Sequence, residues 1–164
     1  MSKMKLGFFQ YAVIQGNPEA NFDYISNSLR YCRCDVLVLS ELFSCGYCFS
    51  RRSEIMSCAE SLSNSKTIRF LQKMAVETGG VVTGTFPELD DKEDVLYNTA
   101  AVVDQHGLLG IQRKVHLPEY EKQFFSPGCD VVPVEIQNGS KIGLMTCFDC
   151  WFPAFGALLK QSGA

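Results

Sequence analysis

The sequence predicts an α/β fold. Short β-branched apolar runs alternate with longer stretches of helical period, and turn residues mark each change of period. The length of 164 residues suits a single hydrophobic core. A chain of this size buries roughly 70% of its unfolded surface and folds without disulfides or a structural metal. Hydrophobic residues make up 46% and charged residues 20%, the balance of a globular protein rather than a disordered one.

The elements follow in order. "KLGFFQYAV" at 5–13 reads as a strand. In "GNPEANFDYISNSLRYC", Asn17 is placed to cap a helix, Pro18 suits its first position, and Phe22, Ile25 and Leu29 recur at helical spacing. "DVLVLS" at 35–40 is too short and too β-branched for a helix and reads as a buried strand. A second helix is expected over "SKTIRFLQKMAVETGG", with Ile68, Leu71, Met74 and Ala75 on one face and Gly79 and Gly80 as stop signals. Strands are expected at 80–86, 96–104 and 108–114, the last two joined by a turn over Gln105, His106 and Gly107. Between the first two, the acidic "PELDDKEDV" reads as a solvated loop. "VVPVEIQNGSKIGLMTC" places two apolar runs around Asn138-Gly139, a hairpin signal. No repeat or linker interrupts the chain, so residues 1–164 read as one domain.

Charge and cysteine content narrow the partners. A formal charge of −3 with scattered Lys and Arg gives no basic face for nucleic-acid phosphates. No run reaches the 18 or more apolar residues of a membrane span, and Gln10 and Gln15 interrupt the N-terminal stretch where a signal peptide would stay apolar. The expectation is a cytoplasmic protein whose eight cysteines stay reduced. Small molecules are the expected ligands.

Three predicted strand ends carry reactive side chains. Glu41 follows the 35–40 strand, in a position partly shielded from water where a carboxylate serves as a general base. Lys114 ends the 108–114 strand. Cys147 ends the last apolar run, ahead of the helical pattern "WFPAFGALLK", whose free amides would favour a thiolate. Taken singly each is ordinary: a Glu after a strand is usually a cap, a Lys is usually solvated, and most buried thiols are inert.

Together, "LSELFSCGY", "RKVHLPEYEKQFFSPG" and "KIGLMTCFDCWFP" resemble the glutamate, lysine and cysteine segments of the nitrilase superfamily of carbon-nitrogen hydrolases, in that family's chain order. The resemblance runs from the opening strand to the last residue. It implies part of a four-layer α-β-β-α sandwich with C-terminal strands and helices missing, hence a single domain truncated on its C-terminal side. It also implies a Glu41, Lys114, Cys147 triad that hydrolyses an amide, nitrile or carbamoyl amine through a thioester, with no metal and no organic cofactor. Glu121 matches a further glutamate near the triad lysine, and a backbone N–H near Phe148 is the implied second donor to the developing oxyanion. The resemblance implies a homo-oligomer for the full-length protein. Asp149 is expected to shape the cysteine turn together with Phe148, and Trp151 and Phe152 are expected to pack in the core.

This chain departs from the family in carrying Ala154 and Ala157 where relatives have a glutamate and an arginine. Three rival readings remain open. His116 would act as base to Cys147 in a Cys-His enzyme. "CFDC" at 147–150 with "CGYC" at 45–48 would form a redox or zinc pair, although the two lie far apart in sequence. A noncatalytic truncated paralogue or fragment would bind a full-length relative.

Overall fold

The fold is described by a computed structural model covering residues 3–90 and 92–164. A five-stranded sheet runs in the order β1 (Leu6–Phe9), β2 (Val36–Leu39), β3 (Val81–Asp90), β4 (Val95–Asp104) and β5 (Gly107–Arg113). The pairs β1–β2 and β2–β3 are parallel, and β3–β4 and β4–β5 are antiparallel. Two crossover helices therefore return the chain to the same side of the sheet, α1 (Pro18–Ser28) and α3 (Lys66–Thr78).

Both helices begin as their caps dictate. Asn17 Oδ1 accepts from Ala20 N at 3.1 Å with Pro18 opening the first turn of α1, and Ser65 Oγ accepts from Ile68 N at 2.9 Å. Gly79, at φ +78°, ends α3 in the left-handed conformation that a side chain would strain. Ile25, Phe70, Leu71, Met74 and Ala75 meet Leu37, Leu39, Val82, Phe86, Ala101 and Val103 in one core. The alternate residues Val36, Val81, Ala100 and Val102 face the other way, where Val134, Ile136 and Leu144 cover them. The sheet thus has a helix-covered face and a second face that receives the C-terminal segment.

Several expected boundaries move. The first strand stops at Phe9 because the following residues bond elsewhere. Asn21 Oδ1 accepts from Ile14 N, and Asn21 Nδ2 donates to Ile14 O and Ser44 O, each at 2.8 Å. A short helix α2 (Arg52–Met56) and a 3₁₀ turn (Leu62–Asn64) lie in a stretch the sequence patterns left blank.

The acidic stretch at 87–95 is not a loop but the end of a long hairpin. Pro87 and Glu88 belong to β3, and Asp91 lies outside the described residues. Pro87 is tolerated because β2 pairs β3 only as far as Thr83, which leaves that edge to Glu60. Glu60 N donates to Pro87 O and Glu60 O accepts from Leu89 N, both at 3.0 Å. Glu88 is buried, held by Arg113 through Nε at 3.0 Å and by the hydroxyl of Thr99. Arg113 also lies over the Tyr97 ring, 3.8 Å from its centroid.

The Asn138-Gly139 hairpin forms, but its strands are two residues each, β6 (Val134–Glu135) and β7 (Lys141–Ile142). Residues 143–146 have no ladder partner among the described residues, so Cys147 does not end a regular strand as expected. It opens a 3₁₀ turn (Cys147–Trp151) that leads into α4 (Pro153–Gln161). Trp151, expected in the core, is 79% exposed.

Arg113→Ala leaves the buried Glu88 carboxylate unpaired and should cost about 2–3 kcal/mol, below the full buried-pair value because Arg113 is itself partly exposed. Urea unfolding reads this as a lower midpoint at unchanged slope.

Candidate active site

The ends of β2 and β5 bring two opposite charges together. β5 closes its ladder one residue past its last assigned position, Lys114 N donating to Asn98 O at 2.8 Å. This aims the Lys114 side chain inward, and it is completely buried. Lys114 Nζ donates to Glu41 Oε1 at 2.7 Å and to Glu121 Oε1 at 2.6 Å. Glu121 is itself buried, in a turn where its N–H donates to Pro118 O at 2.9 Å. Glu41 is the more open carboxylate, its side chain 18% exposed.

The chain leaves β2 sharply to set Glu41 there. Leu42 adopts φ +48°, unusual for a branched side chain, and its N–H donates to Thr85 Oγ1 at 2.7 Å. Phe43 lies against β3 at Gly84, where an added Cβ would stand 2.7 Å from the ring, so only glycine permits that approach. Asn98 ties both partners: its carbonyl holds the Lys114 N–H, and its Nδ2 donates to Glu41 Oε1 at 2.8 Å.

Cys147 is also at φ +48°. Thr146 caps the turn that it opens: Asp149 Oδ2 accepts from Thr146 N at 3.1 Å in a reciprocal capping box. Cys147 and Glu41 line one cleft of about 240 Å³ on the second face of the sheet, with Thr83, Thr85, Leu144 and Thr146. Phe148 follows in the turn with its ring edge-on to Phe152, 5.3 Å between centroids.

Electrostatics follow from this geometry. Burial pulls the Lys114 ammonium down, but the hydrogen bonds and charges of Glu121 and Glu41 outweigh it and hold the group above its ordinary value. Glu121 is pushed up, chiefly by burial, against the opposing pull of Lys114. The Cys147 thiol is raised by desolvation and then by the Glu41 charge, with Lys114 opposing. The expectation that free helix amides favour a thiolate is therefore corrected: although Cys147 as a residue is exposed, desolvation of the sulfur and then the Glu41 charge outweigh Lys114, and α4 begins only at Pro153.

All five candidate residues fall in one region: Glu41, Lys114 and Glu121 in direct contact, Cys147 across the same cleft, Phe148 beside it. The motifs did not reveal Asn98 or Tyr47, whose hydroxyl donates to Glu121 Oε1. Tyr120 packs edge-on to Tyr47, 5.4 Å between centroids. His116, the rival base, is engaged by Asp149 and stacked on Phe152. Among the described residues no group of three His, Cys, Asp or Glu side chains has metal-binding geometry.

A carbon-nitrogen hydrolase family model matches residues 10–164. The chain belongs to the carbon-nitrogen hydrolase family. A nitrilase of Pyrococcus abyssi is 40% identical over 129 residues, covering 79% of this chain and 48% of that protein. An N-carbamoylputrescine amidase of Arabidopsis thaliana is 33% identical over 136 residues, 79% of this chain and 45% of that one. The crystal structure of a carbon-nitrogen hydrolase from Helicobacter pylori superposes with a TM-score of 0.87 at 26% identity, over 98% of this chain and 57% of that one. The chain is thus part of the four-layer α-β-β-α sandwich of this family, and it spans about half the length of the curated relatives it matches.

The raised thiol sets an expected outcome. Alkylation of Cys147 by iodoacetamide, followed on its own peptide by mass spectrometry in a Cys150→Ser background, should have its pH midpoint above that of an ordinary thiol. Glu41→Gln removes a charge that raises the thiol, so the midpoint should fall and alkylation near neutral pH should quicken.

Proposed function

We propose that this chain carries the reactive face of a hydrolase that cleaves a non-peptide carbon-nitrogen bond through a thioester on Cys147. The observation that carries this reading is the Lys114 ammonium, held between Glu41 and Glu121 beside the cleft into which Cys147 opens. Glu41 takes the thiol proton as sulfur adds to the carbonyl carbon, so the costly free thiolate need not accumulate. The Lys114 ammonium and the backbone N–H near Phe148 stabilise the oxyanion. The tetrahedral adduct collapses, the carbon-nitrogen bond breaks, and Glu41 returns its proton to the departing ammonia or amine. Water then adds to the thioester with Glu41 again as base, releasing the carboxylate and restoring the thiol. Glu121 holds Lys114 in place, a positioning role.

This chemistry needs no metal or organic cofactor. The substrate we favour is a small amide or carbamoyl amine rather than a nitrile, in line with the amidase named among the relatives. The same reading takes residues 1–164 as one domain covering the N-terminal part of the family sandwich, cytoplasmic, and a homo-oligomer at full length.

One feature favours a second reading, a noncatalytic chain that binds a full-length relative. Leu6, Phe8 and Val38 are 70%, 81% and 44% exposed. Co-purification with a complete homologue tests it, and hydrolysis by the isolated chain counts against it.

The decisive experiment is ammonia release from a panel of small amides, carbamoyl amines and nitriles. Turnover of one of them should fall by about three orders of magnitude or more in Cys147→Ser, and by about 10²–10⁴ in Glu41→Gln. An intact-mass adduct on the wild-type chain should mark the thioester. A Cys147→Ser variant that retains turnover overturns the mechanism.

A further inference from the structure

The segments carrying Lys114 and Cys147 are joined side by side through one carboxylate. Asp149 is fully buried, and its Oδ1 accepts from both His116 N and His116 Nδ1, each at 2.8 Å. Its Oδ2 accepts from Thr146 N, immediately before Cys147. Because the acceptor is a carboxylate, Nδ1 carries the proton and His116 is fixed in that tautomer. The imidazole stacks on Phe152, 3.8 Å between centroids and 12° between planes, and Phe155 closes on it edge-first at 5.4 Å. One side chain thus binds the residue two past Lys114 to the residue before the thiol.

Cys147 needs such a hold. At φ +48° it occupies a backbone region that a side chain disfavours, and that conformation persists only where the surroundings over-determine it. In α4, Ala154 and Ala157 follow the cysteine turn, and neither carries a polar side chain that could support it.

We propose that His116 and Asp149 form a positioning clamp that holds the Cys147 elbow in register with Lys114 and Glu41, and that His116 takes no proton from the thiol. The clamp rests on the hydrolase reading for its consequence in turnover, but not for its effect on the thiol. The ionisable groups acting on that thiol or acted on by it are Glu41, Lys114, Glu121 and Tyr120, and loosening the elbow weakens its coupling to them.

The test compares His116→Phe, which keeps the stacked ring and loses the donor, with His116→Asn, which restores a donor near the Nδ1 position. Both are made in the full chain with Cys150→Ser. Three quantities are read: the pH midpoint of Cys147 alkylation, kcat and KM, and the urea unfolding midpoint. In His116→Phe the alkylation midpoint should fall toward that of an ordinary thiol, and kcat should drop about tenfold or more with KM within about twofold. His116→Asn should recover most of both.

An alkylation midpoint that stays at the wild-type value in His116→Phe overturns the clamp, whatever happens to turnover. So does a loss that follows the urea midpoint alone and is not recovered by Asn. Turnover abolished in both variants with the thiol unmoved would make His116 the base instead. A wild-type chain that hydrolyses nothing, yet shows the midpoint shift and its recovery, keeps the clamp and sinks the hydrolase reading.

Discussion

An ammonium group with no contact with solvent must find all its compensation inside the protein, and at Lys114 that compensation is two carboxylates within 2.7 Å. Removing the Lys114 charge leaves Glu121 buried without a counter-ion, whereas removing either carboxylate leaves the ammonium paired with the other, so the cluster depends first on Lys114. Its members come from the end of β2, the end of β5 and the turn after Pro118, and their meeting fixes the register of the β2–β3–β4–β5 ladder at that end of the sheet. Among the described residues, the buried Glu121 Oε2 and Asn98 Oδ1 have no hydrogen-bond partner.

The two faces of the sheet divide the labour. Helices α1 and α3 fill one face with aliphatic and aromatic side chains, giving the rigid support that a reactive constellation needs. The opposite face carries the cleft, with Thr83 and Thr85 alternating against the core residues Val82 and Phe86 of the same strand. Period-two alternation thus lets one strand build core and site at once. Thr85 does both kinds of work, lining the cleft and fixing the strained Leu42 that follows Glu41.

The sequence made the helices and inner strands legible because they obey local rules: the Asn17 cap, the Gly79 stop and the β-branched run at 36–39 all appear where those rules put them. The segments around Glu41, Lys114 and Cys147 that carry the family resemblance were legible because each is a contiguous motif. The acidic hairpin was misread because charge suggests solvent, whereas Glu88 is buried by Arg113, 25 residues away, a pairing no local pattern encodes. Asn98 and Tyr47 escaped notice for the same reason. Each sits in an ordinary strand or turn context and acquires its role only when the fold delivers it to Glu41 or Glu121. The thiol was misjudged because a nearby helix start was weighed without the desolvation of the sulfur and, after it, the Glu41 charge, both of which act in the opposite direction.

That reversal bears on how the proton would move in the proposed mechanism. If the resting thiol were already ionised, a carboxylate beside it would be repelled and have nothing to accept. A raised thiol would keep its proton until a substrate carbonyl is in place, and Glu41 would be the base within its electrostatic reach. In that proposal the Lys114 ammonium would serve two charges in succession, the Glu41 carboxylate at rest and the oxyanion once Glu41 has taken the proton, with Glu121 still paired to it. A negative charge would then pass from Glu41 to the substrate oxygen beside a cation already in place, the arrangement that lowers a barrier by pre-set electrostatics rather than by reorganisation.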